Sequence, residues 1–285
     1  MNRLHANTLV DGSRLSYGIH GRGEPVVLIH GTPSHSYIWR NVYPAIAKEG
    51  FRVYLFDLLG FGRSERPRDP SVDTSVAAQA KLLRKLVDAW GIHRAHLVAH
   101  DIGGAVGMRF ALSNPSIVNS LTLIDTVSYD SWPSPTWRSI IDTGLESLIR
   151  SAGDDHLAML TRQLRMTVYD KNKMIGETLQ AYLRPITGPI GQASFFQHQV
   201  RHYDSRYTEE LEKRLPELCE LGVRLIWGEA DEWQPISYAR RLSGDIPGSE
   251  LCTIPQTGHF AMEDAPERVA ELILENLLER TVDSK

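Results

Sequence analysis

The chain has 285 residues, of which 42% are hydrophobic and 23% are charged, and this composition suits one large globular domain with room for an inserted module. Thirty-one basic and 35 acidic side chains give a formal net charge of -4. This balance argues against the classes of protein that bind nucleic acids or membrane surfaces through basic patches.

The cysteine count and the N-terminal residues indicate the cellular compartment of the protein. Cys219 and Cys252 are too few for a disulfide framework in a chain of this size. The first residues, MNRLHANTLVDGSRLSYG, lack the apolar stretch of a signal peptide. No apolar run approaches the roughly 20 residues of a membrane span. We therefore expect a soluble cytoplasmic monomer or homodimer without a nucleic-acid or membrane partner.

Short strands are predicted first along the chain. NTLV and RLSYGIHG flank Asp11-Gly12, a strong hairpin signal. The apolar runs EPVVLIHG and FRVYLFDLLG are typical of strands that are buried on both faces. DTSVAAQAKLLRKLVDAWG then predicts a helix that is capped by Asp73 or Thr74 and ends at Gly91.

Strands and helices then alternate, with one interruption. Strand HLVAHD, helix GGAVGMRFALSN and strand VNSLTLID are followed by residues 126–220, which are helical in character and contain no apolar strand run. The alternation resumes with VRLIWGEAD, PISYARRLSG, SELCTIP and APERVAELILENLLER. This order predicts an α/β fold with a mostly parallel sheet between layers of helices. Residues 1–125 and 221–285 would form the core domain, and residues 126–220 a helical lid, or cap.

Asp101 lies where strand HLVAHD turns into a helix. Functional residues of α/β sheets lie at the carboxyl ends of the strands. Residues 99–103, AHDIG, also follow the pattern of a sharp strand-to-helix turn, in which small residues flank a nucleophile. The alternative is that Asp101 only caps the helix, and these five residues alone leave both interpretations open.

Three other stretches accompany Asp101: HGTP, DLLGFGRSERP and TGHF. Together the four resemble the α/β-hydrolase fold family, in particular its epoxide hydrolase and haloalkane dehalogenase branch. The branch has HGxP, GxGxSxxP and HDxG motifs, which match residues 30–33, 60–67 and 100–103. The resemblance covers roughly residues 8–125 and 221–280 and is weak across the lid.

This resemblance implies covalent catalysis. The Asp101 carboxylate would displace a leaving group at a saturated carbon and form an ester with the enzyme. His259 would then act as the general base on the water that hydrolyses this ester. The backbone N–H groups of Thr32 and Ile102 would form the oxyanion hole.

His259 also needs a carboxylate partner to orient it and to stabilise its charged form. Asp231, just past strand VRLIW, is the position that the family uses most often. Asp125, 24 residues beyond the nucleophile (125 − 101), is the alternative acid. We expect Asp231 to be the partner.

The leaving group is less well specified by the sequence. Ile102 and Thr32 offer no side-chain N–H to a halide, which places halide displacement second. Epoxide opening needs an acid on the lid, yet Phe196 stands where the family carries a tyrosine, so His202 or Tyr203 would have to replace it. We expect an epoxide hydrolase; a haloalkane or haloacid dehalogenase, an ester or lactone hydrolase and a non-catalytic ligand-binding relative remain as alternatives.

The substrate should be a small apolar organic molecule in an aromatic pocket between sheet and lid. The predicted substrate-binding residues are Trp132, Trp137, Tyr182, Phe195, His202 and Tyr203. His198 and His202 are four residues apart, but no third ligand has a suitable spacing, so no metal or other cofactor is expected.

Overall fold

Eight strands form a single sheet in the computed structural model, which describes residues 3–282. The strands are β1 (Ala6–Val10), β2 (Ser13–Gly21), β3 (Glu24–Ile29), β4 (Phe51–Phe56), β5 (Ala95–His100), β6 (Val118–Ile124), β7 (Val223–Gly228) and β8 (Glu250–Ile254). Their spatial order is β1-β2-β4-β3-β5-β6-β7-β8. Strand β2 pairs antiparallel with β1 and β4, and all other neighbouring strands are parallel. The predicted fold class is therefore confirmed.

Helices cover both faces of the sheet. Those outside residues 126–220 are α1 (Tyr43–Lys48), α2 (Val76–Ala89), α3 (Ile102–Ser113), α10 (Ile236–Asp245), α11 (Ala261–Asp264) and α12 (Pro266–Val282). Two buried clusters of apolar side chains pack on opposite faces of the sheet, because neighbouring strand residues such as Val27 and Leu28 point to opposite sides. Strands β3 and β5 lie at the centre; β5 is fully buried, and β3 is buried from Val26 to Ile29.

The helix cap predicted for α2 is wrong by one or two residues. Ser75 is the N-cap, and its hydroxyl accepts the Ala78 N–H at 3.3 Å. Asp73 instead accepts the Ser75 N–H, and the Thr74 hydroxyl donates to the His198 carbonyl. Asp73 thus shapes the loop before α2, and Thr74 ties that loop to His198.

Residues 126–220, which we call the β6–β7 segment, contain helices and irregular stretches. The α-helices are α4 (Pro135–Thr143), α5 (Glu146–Ile149), α6 (Gly153–Met166), α7 (Gly176–Leu183), α8 (Gly188–His198) and α9 (Arg206–Glu209). The 3-10 helices of this part of the chain are Lys171–Lys173, Val200–His202 and Glu212–Leu221. Two others, Ser36–Trp39 and Pro115–Ile117, lie before the segment. Within residues 3–282, no helix combines the length and the apolar character needed to cross a membrane.

The parallel strands bring distant parts of the chain to one edge of the sheet. The carboxyl ends of β3, β5, β6, β7 and β8 meet there. The residues that follow these five ends include Thr32, Asp101, Asp125, Asp231 and His259. All five side chains are buried.

Candidate active site

Asp101 occupies a strained turn between β5 and α3. Its φ of 55° and ψ of -126° lie in a region that side-chain-bearing residues rarely adopt. Although Asp101 precedes the first residue of α3, its carboxylate forms no capping hydrogen bond. The helix-cap interpretation is therefore wrong, and the turn directs the carboxylate towards the neighbouring loops.

Two glycines allow this turn to lie against β3 and the loop after it. A Cβ on Gly31 would stand 2.3 Å from Asp101 Oδ1, and one on Gly103 would stand 2.4 Å from the His30 carbonyl oxygen. Both distances are far below van der Waals contact. Glycine is thus required where the backbone passes the carboxylate and where α3 begins.

The two oxygens of Asp101 have different partners. Oδ1 accepts the Thr32 N–H at 2.6 Å, whereas Oδ2 lies 3.5 Å from His259 Nε2. Ile102 is the first residue of α3, and its N–H is one of the amide groups that have no carbonyl acceptor within the helix. The arrangement holds one oxygen on a backbone donor and leaves the other beside an imidazole.

His259 lies between two carboxylates. Its Nδ1 is 2.9 Å from Asp231 Oδ2, opposite the Nε2 that faces Asp101. Burial disfavours the imidazolium, but the adjacent Asp231 and Asp101 carboxylates outweigh burial and raise the pKa of His259 well above its usual value. Trp233 also packs against the imidazole, with ring centroids 5.1 Å apart.

Asp231 is held in place by its own loop. Its Oδ1 accepts the N–H groups of Trp233 at 2.7 Å and Gln234 at 2.9 Å. Asp125 makes no hydrogen bond to His259 in the described part of the chain; its Oδ1 accepts the Gly228 N–H at 2.8 Å. The structure thus places Asp231, and not Asp125, against the imidazole.

The other histidines near Asp101 have structural contacts. His30 bonds the Gly31 carbonyl through Nδ1 and accepts the Leu58 N–H on Nε2, and its burial lowers its pKa to about 4. His100 Nε2 lies 2.9 Å from the His259 carbonyl oxygen. His30 thus joins the loops after β3 and β4, and His100 joins the end of β5 to the loop that carries His259.

A cavity of about 390 Å³ opens above Asp101, between the sheet edge and the β6–β7 segment. Its lining includes four predicted substrate-binding residues, Trp132, Trp137, Phe195 and Tyr203. A volume of this size is typical of a site for a small organic ligand.

Two of the predicted substrate-binding residues lie elsewhere. Tyr182 is fully buried, and its hydroxyl donates to Glu263 instead of facing the cavity. His202 is not among the lining residues, and its Nδ1 lies 3.7 Å from Asp73. Both predictions are wrong in placement, because each side chain turns towards a carboxylate outside the cavity.

A chain of hydrogen bonds links Tyr203 to the loop that holds Asp101. The Tyr203 hydroxyl lies 2.5 Å from Thr32 Oγ1, which in turn donates to Gln199 Oε1 at 3.2 Å. The Thr32 hydroxyl has a single hydrogen and gives it to Gln199, so Tyr203 is the donor in its bond to Thr32. Burial and the nearby Asp101 raise the pKa of Tyr203, which keeps the phenol protonated.

Sequence reasoning missed Gln199, Trp233 and Gln234. Gln199 follows α8 at a position that no motif marks. Trp233 and Gln234 lie two and three residues after Asp231, where backbone N–H groups can turn back to an aspartate. That local spacing was a usable signal for the last two residues only.

No cluster of three histidine, cysteine, aspartate or glutamate side chains that could hold a metal ion occurs within residues 3–282.

Known proteins are similar to this chain in sequence and in architecture. The chain is 30% identical to a 2-hydroxy-6-oxononadienedioate/2-hydroxy-6-oxononatrienedioate hydrolase of Burkholderia vietnamiensis, over 96% of this chain and 94% of that one. It is 28% identical to a soluble epoxide hydrolase of a Corynebacterium species, over 95% and 96% of the two chains.

The fold agrees with these relationships. A crystal structure of an α/β hydrolase fold protein from Burkholderia ambifaria superimposes with a TM-score of 0.87 at 32% identity, over 95% of this chain and 97% of that one. The family model of the α/β hydrolase fold matches residues 24–266. With this match and the sheet order described above, the chain belongs to the α/β-hydrolase family.

Proposed function

We propose that this hydrolase opens an epoxide to a diol through an ester formed on Asp101. The observation that carries the proposal is the grouping of three functions: a carboxylate on a strained turn and a phenol, which both line the cavity, and an imidazole–carboxylate pair beside that carboxylate. Asp101 Oδ2 faces His259 Nε2 at 3.5 Å, and the Tyr203 hydroxyl lies beside Thr32, whose N–H holds Asp101 Oδ1.

In the first step, Asp101 Oδ2 attacks an epoxide carbon and the carbon–oxygen bond of the ring breaks. The alkoxide that leaves takes a proton from the Tyr203 hydroxyl, which must turn away from Thr32 to deliver it. The phenol is suited to this role because its raised pKa keeps it protonated until a strongly basic oxygen develops.

In the second step, water hydrolyses the ester. Ester formation removes the negative charge of Asp101, so one of the two carboxylates that raise the pKa of His259 is lost. His259 can then release its proton, which restores the Tyr203 phenol, and accept another proton from water, while Asp231 stabilises the imidazolium. Hydroxide adds to the Asp101 carbonyl carbon, and the N–H groups of Thr32 and Ile102 bind the oxyanion. When the ester C–O bond breaks, the departing alkoxide takes the proton of the added hydroxyl, so the diol leaves with an oxygen from Asp101 and the Asp101 carboxylate is restored.

The similarity to a soluble epoxide hydrolase over nearly the full length of both chains supports this assignment. Phe196 has no acidic proton and is buried against His156 and Phe195. Tyr203 therefore takes the role of the acid in this proposal. Halide displacement and acyl transfer remain as outcomes of the test.

The test uses His259→Gln, which should form the ester and fail to hydrolyse it. The variant is incubated with pooled epoxides, haloalkanes and esters, and intact and peptide masses are recorded. We expect an adduct on the Asp101 peptide that equals the whole mass of an epoxide, and no adduct with the double variant Asp101→Asn/His259→Gln.

Other masses would identify other reactions. An adduct that lacks HX indicates halide displacement, and an adduct that lacks an alcohol indicates acyl transfer. Turnover by the wild type without any labelling of Asp101 would refute the covalent mechanism. If the wild type is inert towards all the probes, a ligand-binding role replaces the enzymatic one.

A further inference from the structure

One buried acid at this edge of the sheet has no role in the reaction as proposed. Asp125 directly follows β6 with a φ of 42°, and its side chain is fully buried. Oδ1 accepts the Gly228 N–H at 2.8 Å, but Oδ2 has no hydrogen-bond partner within residues 3–282. A buried oxygen without a donor is costly unless it carries a proton itself.

The charged groups that face Asp125 come from the next two parallel strands. Asp231 lies on the loop after β7, which pairs with β6, and His259 lies on the loop after β8. The Asp125 N–H donates to the Ile226 carbonyl at 3.0 Å, which fixes the start of its loop against β7. Two carboxyl groups therefore share one buried region beside the imidazole.

The hydrogen-bond donors decide which of the two carboxyl groups is charged. Asp231 accepts three hydrogen bonds, from the N–H groups of Trp233 and Gln234 and from His259 Nδ1. Asp125 accepts one, from Gly228. Hydrogen bonds to the charged form favour ionisation, and adjacent carboxylates in a buried site resist a second charge.

We propose that Asp125 is a neutral carboxylic acid whose Oδ2–H donates a hydrogen bond to the Asp231 carboxylate, and so acts as a positioning residue for the His259–Asp231 pair. Burial and the Asp231 carboxylate also raise the pKa of Asp125 well above its usual value. With this proton, Asp125 Oδ2, which otherwise has no hydrogen-bond partner within residues 3–282, becomes a donor to the Asp231 carboxylate.

The proposal rests on the proposed function, since it concerns the second step of that reaction. With Asp125 neutral, His259 faces two carboxylates before ester formation and one after it. An ionised Asp125 would add a third negative charge and oppose the loss of the His259 proton. The proton on Asp125 thus helps His259 to become a base once the ester has formed.

The first experiment compares Asp125→Asn with Asp125→Leu, in otherwise wild-type chains, with styrene oxide as the probe. Asparagine keeps an acceptor for the Gly228 N–H and a donor for Asp231, whereas leucine, of similar size, has neither. We expect single-turnover ester hydrolysis to be about 10²-fold faster with asparagine than with leucine, because misplacement of a catalytic group costs about this much. Ester formation should differ little between the two.

The second experiment needs no turnover. An acid that is protonated in the folded chain and ionised in the unfolded chain, where its pKa is about 3.9, binds more protons when folded, so stability falls as pH rises above about 4. Asparagine does not ionise, so the Asp125→Asn variant lacks this loss of stability at higher pH. The melting temperature of Asp125→Asn minus that of the wild type should therefore increase from pH 4 to pH 8, while the exposed control Asp142→Asn shows no such trend.

Each outcome has a defined meaning. Asparagine as slow as leucine in ester hydrolysis, or a melting difference that stays flat with pH, overturns the proposal. If Asp125→Leu does not fold, the pH dependence of the melting difference between Asp125→Asn and the wild type decides whether the proposal holds. Absence of any ester on Asp101 would refute the proposed function, and the melting comparison would still settle where the proton lies.

Discussion

At the scale of single residues, the site depends on the pairing of His259 with one of two nearby acids. Asp231 has the direct contact at 2.9 Å, and its other oxygen is held by two backbone N–H groups. Asp125 lacks such a contact with the imidazole. The orientation of His259 therefore rests on Asp231.

Replacing Asp231 by asparagine should reduce kcat by about 10³- to 10⁴-fold, because the amide favours the wrong imidazole tautomer and no longer stabilises the imidazolium. Rapid quenching followed by mass spectrometry should show the Asp101 ester accumulating. The control Glu229→Gln changes an exposed acid of the same loop. Equal kcat values for the two variants would contradict the assigned pairing.

Tyr203→Phe should slow epoxide opening by about 10²- to 10⁴-fold, the contribution of a well-placed general acid. Halide displacement on the same carboxylate should be affected far less, since a halide leaves without a proton. Stopped-flow measurement of ester formation with both substrate types checks this, and Tyr169→Phe, at an exposed tyrosine, is the control. A similar loss for both leaving groups would indicate that Tyr203 only shapes the cavity.

At the scale of secondary-structure elements, the junction of β5 and α3 is limited by close packing against β3. The first turn of α3 runs past the carbonyl oxygens of Ile29 and His30, and a Cβ on Gly103 would stand 2.7 Å and 2.4 Å from them. Backbone atoms cannot move aside as a flexible side chain can. The position of Asp101 thus depends on the absence of a side chain two residues later.

Gly103→Ala should destabilise the protein by about 1–3 kcal/mol, the usual cost of overpacking a buried position. Activity should fall further than stability does, since the shift displaces Asp101. Gly244→Ala is the matched control: Gly244 lies in α10 with no atom within 4 Å of an added Cβ, so alanine should stabilise by up to about 1 kcal/mol. Denaturant unfolding checks both, and equal stabilities would show that α3 can move.

At the scale of the whole molecule, a buried ionic cluster joins the β6–β7 segment to the sheet domain. Arg40 makes a two-pronged contact with Glu263 of α11, at 2.5 and 2.7 Å, and the Tyr182 hydroxyl of α7 donates to the same carboxylate. The Glu263 side chain is 3% exposed. Removal of the carboxylate would leave a partly buried cation and a fully buried hydroxyl without their acceptor.

We expect Glu263→Ala to lower the free energy of unfolding by about 3 kcal/mol, as for other broken buried ion pairs. Glu271→Ala, which removes one of the two carboxylates that pair with Arg268 at the surface of α12, should stay close to the wild type because exposed pairs contribute little. Thermal unfolding of both variants distinguishes the two cases. A small loss for Glu263→Ala would mean that the β6–β7 segment is held by its apolar contacts alone.

Much of this architecture follows from local pattern. Apolar runs alternate with amphipathic helical stretches along the core, and that alternation admits a parallel sheet with helices on both faces. A parallel sheet in turn places the residues after each strand at one edge, so Thr32, Asp101 and His259 could be expected near one another from the sequence alone. The Asp11-Gly12 turn likewise predicted the hairpin of β1 and β2, which the structure contains.

Two kinds of contact were decided only by the tertiary structure. They are the contacts set by the course of the loops, and those made by side chains that follow no repeating pattern in the sequence. Asp125 and Asp231 both follow strands at the same edge, and only the course of the two loops put Asp231 against His259. In the β6–β7 segment, tyrosines and histidines occur without a repeating pattern, so the sequence could not separate Tyr203, which lines the cavity, from Tyr182 and His202, which do not. A strand period sets which way a side chain points from a sheet, whereas irregular helices acquire their orientation only by packing against the rest of the molecule.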